Sequence, residues 1–377
     1  MFTLLLLVFL TACGDNSNST NQPTGNTPTP APIPSPAPVP NPTPVPTPTP
    51  APVLPARFIY TREPSNQIDI GAIQAGGRLT SGSKPILLGD VVFVISLVAL
   101  PSGKFLYGSG ISSSSFGEPF GKNQIGEFRI ESTGGLTQLP GSPIDLPMGA
   151  GVLLVDPGGR FLFMRLDRIW DTWSVDANTG QLTEVGTSGT AGTGFQPAIS
   201  HDGKFLFNID TSNVENKQVV VDAVDTNGTA TPVAGSPFST DSANTPSAVA
   251  VSPLGNFVFV TNFHDTGPIV SPPTNGDISV FSLARDGSLT PVPGSPFPAG
   301  LNPGGPVITP DGKFLYIRAS QADGADEIEG FSIASSGALA PLANNPQATG
   351  FIEAGIAMDR SDWRFSVRRQ RQRHEEL

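Results

Sequence analysis

Cysteine is almost missing from this chain: Cys13 stands alone among 377 residues, so no disulfide forms within it. Histidine is nearly as scarce, with three, and a zinc site of His and Cys ligands is hard to build from that set. Charged residues make up only 14 %. No Gly-x-Ser-x-Gly elbow, His-Glu-x-x-His pair or Gly-rich phosphate loop is present. The standard nucleophile, metalloprotease and nucleotide signatures are therefore excluded, and no cofactor or metal is implied. No apolar run is long enough to span a bilayer as a helix. After residue 56 no segment of ten or more residues keeps a helical period. The net charge of −11 argues against nucleic acid as a partner.

What the chain has in quantity is turn formers, with Gly 42 and Pro 40. They punctuate a repeat. Pro310-Asp311-Gly312-Lys313-Phe314-Leu315-Tyr316 is a β-turn running into a buried strand. Near copies end in Phe105-Leu106-Tyr107, Phe161-Leu162-Phe163, Phe205-Leu206-Phe207 and Phe257-Val258-Phe259. Phe58-Ile59-Tyr60 is a copy without its turn, and Asp362-Trp363-Arg364-Phe365 is a decayed one. Successive anchor phenylalanines lie roughly 50 residues apart, the period of a β-propeller blade. Each unit reads as four strands: an apolar strand before the turn, the Phe strand, an alternating strand such as Ile278-Ser279-Val280-Phe281, and a last strand after a Gly turn. Gly135-Leu136-Thr137, Gly180-Gln181-Leu182-Thr183, Gly287-Ser288-Leu289-Thr290 and Gly337-Ala338-Leu339-Ala340 mark that turn. Gly141-Ser142-Pro143, Gly235-Ser236-Pro237 and Gly294-Ser295-Pro296 form a second recurring phrase.

The phrases P-D-G-K-F-L-Y, G-x-L-T and G-S-P-F together resemble the lactonase family of seven-bladed β-propellers, which includes the bacterial 6-phosphogluconolactonase type and YVTN-repeat proteins. The resemblance covers residues 56 to 367. It implies an all-β fold: a seven-bladed β-propeller of four-stranded blades. The first unit lacks its leading strand and the last stops inside its second, so the last blade is expected to be incomplete. The alternative is a six-bladed ring in which Ile352–Met358 closes the first unit. Residues 368–377 form a basic tail without strand pattern.

Upstream, the apolar run Met1 to Leu10 leads into Leu10-Thr11-Ala12-Cys13-Gly14. This resembles the lipobox of bacterial lipoproteins and implies a signal peptide over 1–13, lipidation at Cys13, and membrane attachment through that anchor. No Lys or Arg precedes the run, which departs from the usual pattern. Residues 14–55 form a linker. Every second residue from Pro28 to Pro52 is proline, which favours polyproline II. Extended, the proline-rich part spans roughly 100 Å. The expected location is the bacterial cell envelope, exported and membrane-anchored.

Candidate site residues lie where loops follow second strands. Arg62, Arg165 and Arg318 each stand four residues past an anchor Phe, and such a partial ring suits an anionic ligand. Lactonase-type members carry an Asn-Arg-Gly-His phrase at the place of Asn262-Phe263-His264-Asp265; here Phe replaces Arg and Gly is absent. The resemblance implies His264 or Asp265 as a water-activating base and Asn262 as a ligand contact. Trp170 and Trp173 are expected to pack the sheet. Two functions stay open: hydrolysis of a sugar-type lactone, and a non-catalytic propeller binding a protein, glycan or small ligand.

Overall fold

The computed structural model describes residues 8–9, 57–62, 67–73, 78–82, 84–88, 91–112, 123–147, 149–194, 196–211, 217–263, 275–320, 325–343, 345–348, 355–358 and 365–368. Cys13, His264, Asp265 and the whole 14–55 linker lie outside the described residues. All described regular structure is antiparallel β.

Six sheets of like design follow one another along the chain, and the two-stranded start of a seventh follows them. The fifth sheet shows the plan. Thr245–Val251 pairs with Phe257–Phe263, which pairs with Asp277–Leu283, and that strand pairs in turn with Leu289–Pro291 and Phe297–Pro298. The fourth strand is thus broken in two, and the Gly-Ser-Pro phrase makes the break. Its serine hydroxyl accepts the amide that the broken strand leaves open: Glu127 N to Ser142 Oγ at 2.8 Å, Val221 N to Ser236 Oγ at 2.9 Å, and Val280 N to Ser295 Oγ at 2.9 Å. In the sixth sheet Asn345 does the same for Gly330 N at 2.7 Å. A buried amide left open would be costly, so the phrase repeats because the ladder needs it.

In the third to sixth sheets the residue ahead of the turn works alike. Ser200 Oγ and Ser252 Oγ accept the amides of Phe205 and Phe257 at 3.0 Å, and Thr309 Oγ1 accepts that of Phe314 at 3.0 Å. Asp156 takes this place in the third sheet, accepting Phe161 N at 2.9 Å.

The core lies in the seams between consecutive sheets. Phe58, Tyr60 and Ile68 of the first sheet pack with Leu97, Leu106 and Phe128 of the second. Phe205 and Phe207 of the fourth pack with Val260 and Phe281 of the fifth. Each anchor Phe lies against the turn glycine of the next sheet. A Cβ on Gly134 would stand 2.2 Å from the Phe58 ring, one on Gly180 2.3 Å from Phe105, and one on Gly228 2.8 Å from Phe161. Gly287 over Phe205, at 2.5 Å, and Gly337 over Phe257, at 2.6 Å, complete the series. All five glycines have φ between +77° and +88°. They need both the missing side chain and the left-handed backbone. In the second sheet this glycine is Gly134, one residue before the expected Gly135.

At the chain ends, Val8–Phe9, within the run read above as a leader removed at Cys13, pairs with Ile59 and Tyr60 in the place of the leading strand that the first unit lacks, so this pairing belongs to the unprocessed chain. Gly355–Met358 pairs with Phe365–Arg368, which begins a seventh sheet. This is the partner the seven-bladed reading gives it; the six-bladed alternative set the strand against the first unit.

Candidate functional site

Antiparallel connection puts the Pro-Asp-Gly and Gly-x-Leu turns at one end of every sheet. The loops after second strands, and the crossings to the next sheet, lie at the other. Unsatisfied polarity and unusual backbone concentrate at this loop end. Arg62 Nε, Gln124 Oε1, Arg165 Nε and Asn262 Oδ1 are buried there without a hydrogen-bond partner. Asp167, Asp241 and Asn302, non-glycine residues at positive φ, also belong to it. Buried orphan atoms and left-handed Asp or Asn mark places where a fold serves something other than its own stability.

The densest cluster sits on the fifth sheet. Asp277 begins the third strand and draws three donors. Asn262 Nδ2 reaches its Oδ1 at 2.6 Å. Ser242 Oγ and Asn244 Nδ2 reach its Oδ2 at 2.7 and 2.6 Å. Asn262 Nδ2 also donates to Ser279 Oγ at 2.9 Å. Because a carboxylate only accepts, this network fixes the Asn262 amide with its nitrogen inward. The amide oxygen is then left as an acceptor with no described donor, on a side chain with no exposed surface. Residues 264–274, with His264 and Asp265 among them, lie outside the described residues, and the described chain resumes at Asn275. Of the described sequence-derived site residues, Asn262 alone joins this cluster. Ser242, Asn244 and Asp277 went unrecognised, because isolated Ser, Asn and Asp residues in loops carry no motif.

The three arginines hold like positions on second strands. Residues four past the anchor Phe face the next sheet, as Ser109 shows by donating to Gly151 O at 2.6 Å. Arg62 donates to Val94 O of the second sheet at 3.0 Å. Arg165 turns back to Asp167 O at 2.9 Å. Arg318 pairs with buried Asp326 at 3.1 Å. Desolvation lowers the pKa of Arg62 and of Arg165. Arg168, near Arg165 in sequence, bridges to Asp210 of the fourth sheet at 2.8 Å. No two of the three arginines share a sheet.

Both tryptophans pack, as expected. Trp170 is fully buried and donates to Asp222 Oδ2 at 3.0 Å, while Trp173 donates to Asp171 Oδ2 at 2.9 Å. Burial raises Asp222 to about 6 against the pull of Trp170 and of Thr190 N, and it also raises Asp171. Among the described residues no cluster of His, Cys, Asp and Glu suits a metal ion.

Residues 168–296 match the family model described as lactonase, 7-bladed beta-propeller. No curated protein matches the chain significantly. Among solved structures, the periplasmic gluconolactonase PpgL of Pseudomonas aeruginosa is 16 % identical with a TM-score of 0.61, over 81 % of this chain and 92 % of that one. A Bacteroides uniformis protein provisionally named a 6-phosphogluconolactonase is 18 % identical with a TM-score of 0.59, over 78 % of this chain and 82 % of that one. A Bacteroides fragilis protein with the same provisional name has 16 % identity and a TM-score of 0.59, over 77 % and 81 %. At these identities the likeness is one of fold. Joined to the repeated seams, it makes this chain a β-propeller, with a match to the lactonase family model over residues 168–296.

Proposed function

We propose that this chain is an exported, lipid-anchored propeller that hydrolyses a sugar-type lactone at the loop end of its fifth sheet. The observation that carries the site is the buried Asn262 amide, locked by Asp277 and Ser279 with its oxygen left without a described donor. Such an atom suits a substrate hydroxyl, because a bound hydroxyl meets a need the fold leaves open. In this reading His264, two residues on, supplies the base that activates water, a role for which imidazole has a suitable ordinary pKa. Attack on the lactone carbonyl opens the ring ester and gives the hydroxy acid.

The charges favour a lactone without phosphate. Arg318 and Arg168 are engaged by Asp326 and Asp210, and Arg62 and Arg165 by backbone carbonyls. The names of the neighbours point to both gluconolactone and its 6-phosphate, and the arginine placement favours the former. The apolar leader, Cys13 and the proline-rich segment support secretion and a membrane anchor, which would display the propeller at the cell envelope.

The experiment is continuous titration of acid released from glucono-δ-lactone and from its 6-phosphate, over the spontaneous rate. Turnover with kcat/KM at least tenfold higher for the unphosphorylated lactone supports the proposal. A preference for the phosphate ester would overturn the substrate assignment. Absence of turnover in a folded sample would favour the binding propeller, which the engaged arginines and the broken Asn-Arg-Gly-His phrase also suit.

A further inference from the structure

Asn227 and Gly228 form the tip of the fourth sheet's outer hairpin, between Gln218–Val224 and Ala230–Pro232. Gly228 is the seam glycine of this sheet, seated on the Phe161 ring at φ +88°. Asn227 is exposed, and its side-chain amide makes no hydrogen bond among the described residues. Asp225 braces the turn around it: its Oδ1 accepts Asn227 N and Thr229 N, each at 2.8 Å. An asparagine followed by glycine carries the means of its own modification. No side chain shields the following amide, and that nitrogen can close on the asparagine side-chain carbonyl as a five-membered imide.

The structure selects Asn227 among the places where this chemistry could run. The attacking amide must first leave its hydrogen bond. Gly228 N donates to Asp225 O at 3.2 Å, the longest such bond among the five seam glycines, whose others run from 2.8 to 3.1 Å. Asn275-Gly276 is the other Asn-Gly pair of the chain. There Gly276 N donates to Gly300 O at 2.9 Å, and Ala299 N donates to Gly276 O at 3.1 Å. The site is also crowded: a Cβ on Gly276 would stand 2.3 Å from Asn262 O and 2.4 Å from Pro303. That peptide has no room to turn. Asp286-Gly287 shares the exposed turn of Asn227, but the Ser288 hydroxyl and amide hold the Asp286 carboxyl below its ordinary range. An ionised carboxylate does not acylate an amide.

We propose that Asn227 is a self-modification site, at which the chain converts its own amide to an acid. Gly228 N gives up its proton to solvent and bonds to Asn227 Cγ; the Cγ–Nδ2 bond breaks, and ammonia leaves with a proton from solvent. Water then opens the imide at either carbonyl, leaving aspartate or isoaspartate in place of Asn227. Neither an oxidant nor an enzyme is needed. Both products act on the seam between the third and fourth sheets. The new carboxylate stands two residues from that of Asp225, which already holds two amides of the turn, and the like charges repel. Isoaspartate also lengthens the backbone by one methylene directly before the glycine seated on Phe161. The turn lies at the end of the sheet away from the second-strand loops, so the loss falls on stability and not on the fifth-sheet cluster.

The test incubates the full folded chain in mildly alkaline buffer, with peptide mapping by mass spectrometry and an assay of released ammonia. The acid at position 227 should accumulate at least tenfold faster than at Asn275, in step with ammonia, and the unfolding temperature should fall as it does. In urea, where no seam or strand holds either glycine, the two sites should convert at like rates. Asn227→Gln, whose longer side chain would have to close a six-membered ring, should release no ammonia from this turn and keep its unfolding temperature through the same incubation. Equal conversion of Asn227 and Asn275 in the folded chain, or an amide at 227 that outlasts the one at 275, would overturn the proposal. So would full conversion at 227 with an unfolding temperature that stays level with that of Asn227→Gln.

Discussion

Replacing Gly180 by alanine tests the seam most sharply. Two separate costs arise. The backbone sits at φ +77°, where an alanine loses about 1–2 kcal/mol. The new Cβ would also stand 2.3 Å from the Phe105 ring, which is held in a buried seam between Leu139 and Leu162. Overpacking of that kind costs about 1–3 kcal/mol. The sum is about 2–5 kcal/mol. Truncating the ring, Phe105→Ala, leaves a cavity and costs about 3–5 kcal/mol alone. In the double variant the clash vanishes while the backbone cost stays, so the double loss should fall short of the sum of the singles by about 1–3 kcal/mol. The assay is urea denaturation of the four proteins, followed by tryptophan fluorescence. Additivity within about 0.5 kcal/mol would refute the claim that glycine is there to admit the ring.

Four further outcomes follow from the same structure. Ser236→Ala should cost about 1–3 kcal/mol in the same denaturation assay, because Val221 N loses its acceptor. Asp222 should shape stability against pH: its folded value of about 6 lies above the ordinary carboxylate near 4, so the native state holds the proton more tightly. Its contribution is therefore full below about pH 4 and declines by about 3 kcal/mol as pH rises to about 6; Asp222→Asn should flatten that slope of the unfolding midpoint. Arg318→Ala should lower stability by about 2 kcal/mol while leaving the KM for a neutral lactone within twofold, since Arg318 serves Asp326. Tyr107→Phe removes the 2.7 Å bond to Gly180 O and should cost about 1–3 kcal/mol in thermal unfolding.

The architecture was legible in the sequence because its signals are local and repeated. A Phe-Leu-Tyr after Pro-Asp-Gly is a turn and a buried strand wherever it occurs, and repetition turned a weak pattern into a strong one. The Gly-Ser-Pro phrase was visible as a phrase, yet its purpose was not. Nothing in the residues says that a serine hydroxyl stands in for a ladder carbonyl until the broken fourth strand is seen. The arginine pattern was legible as a position, while the partners of each side chain were not. Equal spacing from the anchor Phe places Arg62, Arg165 and Arg318 at like strand positions, but Arg62 reaches Val94 O of the next sheet, whereas Arg165 and Arg318 bond within their own sheets. Period-2 alternation fixes which face a residue takes, and +4 shares the face of the Phe itself. Asn262 was legible only through family resemblance. Its partners Ser242, Asn244 and Asp277 are gathered from a sheet-to-sheet crossing and a strand start, so no sequence window contains them.

The measurement that tests the account most directly is kcat/KM for glucono-δ-lactone in the unaltered chain and in Asn262→Ala, with Asn244→Ala beside it as a variant of the same network. The account predicts measurable turnover, a loss of at least tenfold with Asn262→Ala, and a smaller loss with Asn244→Ala, both in chains that circular dichroism shows to be folded. Turnover that survives Asn262→Ala unchanged would contradict it and move the chemistry off the fifth sheet.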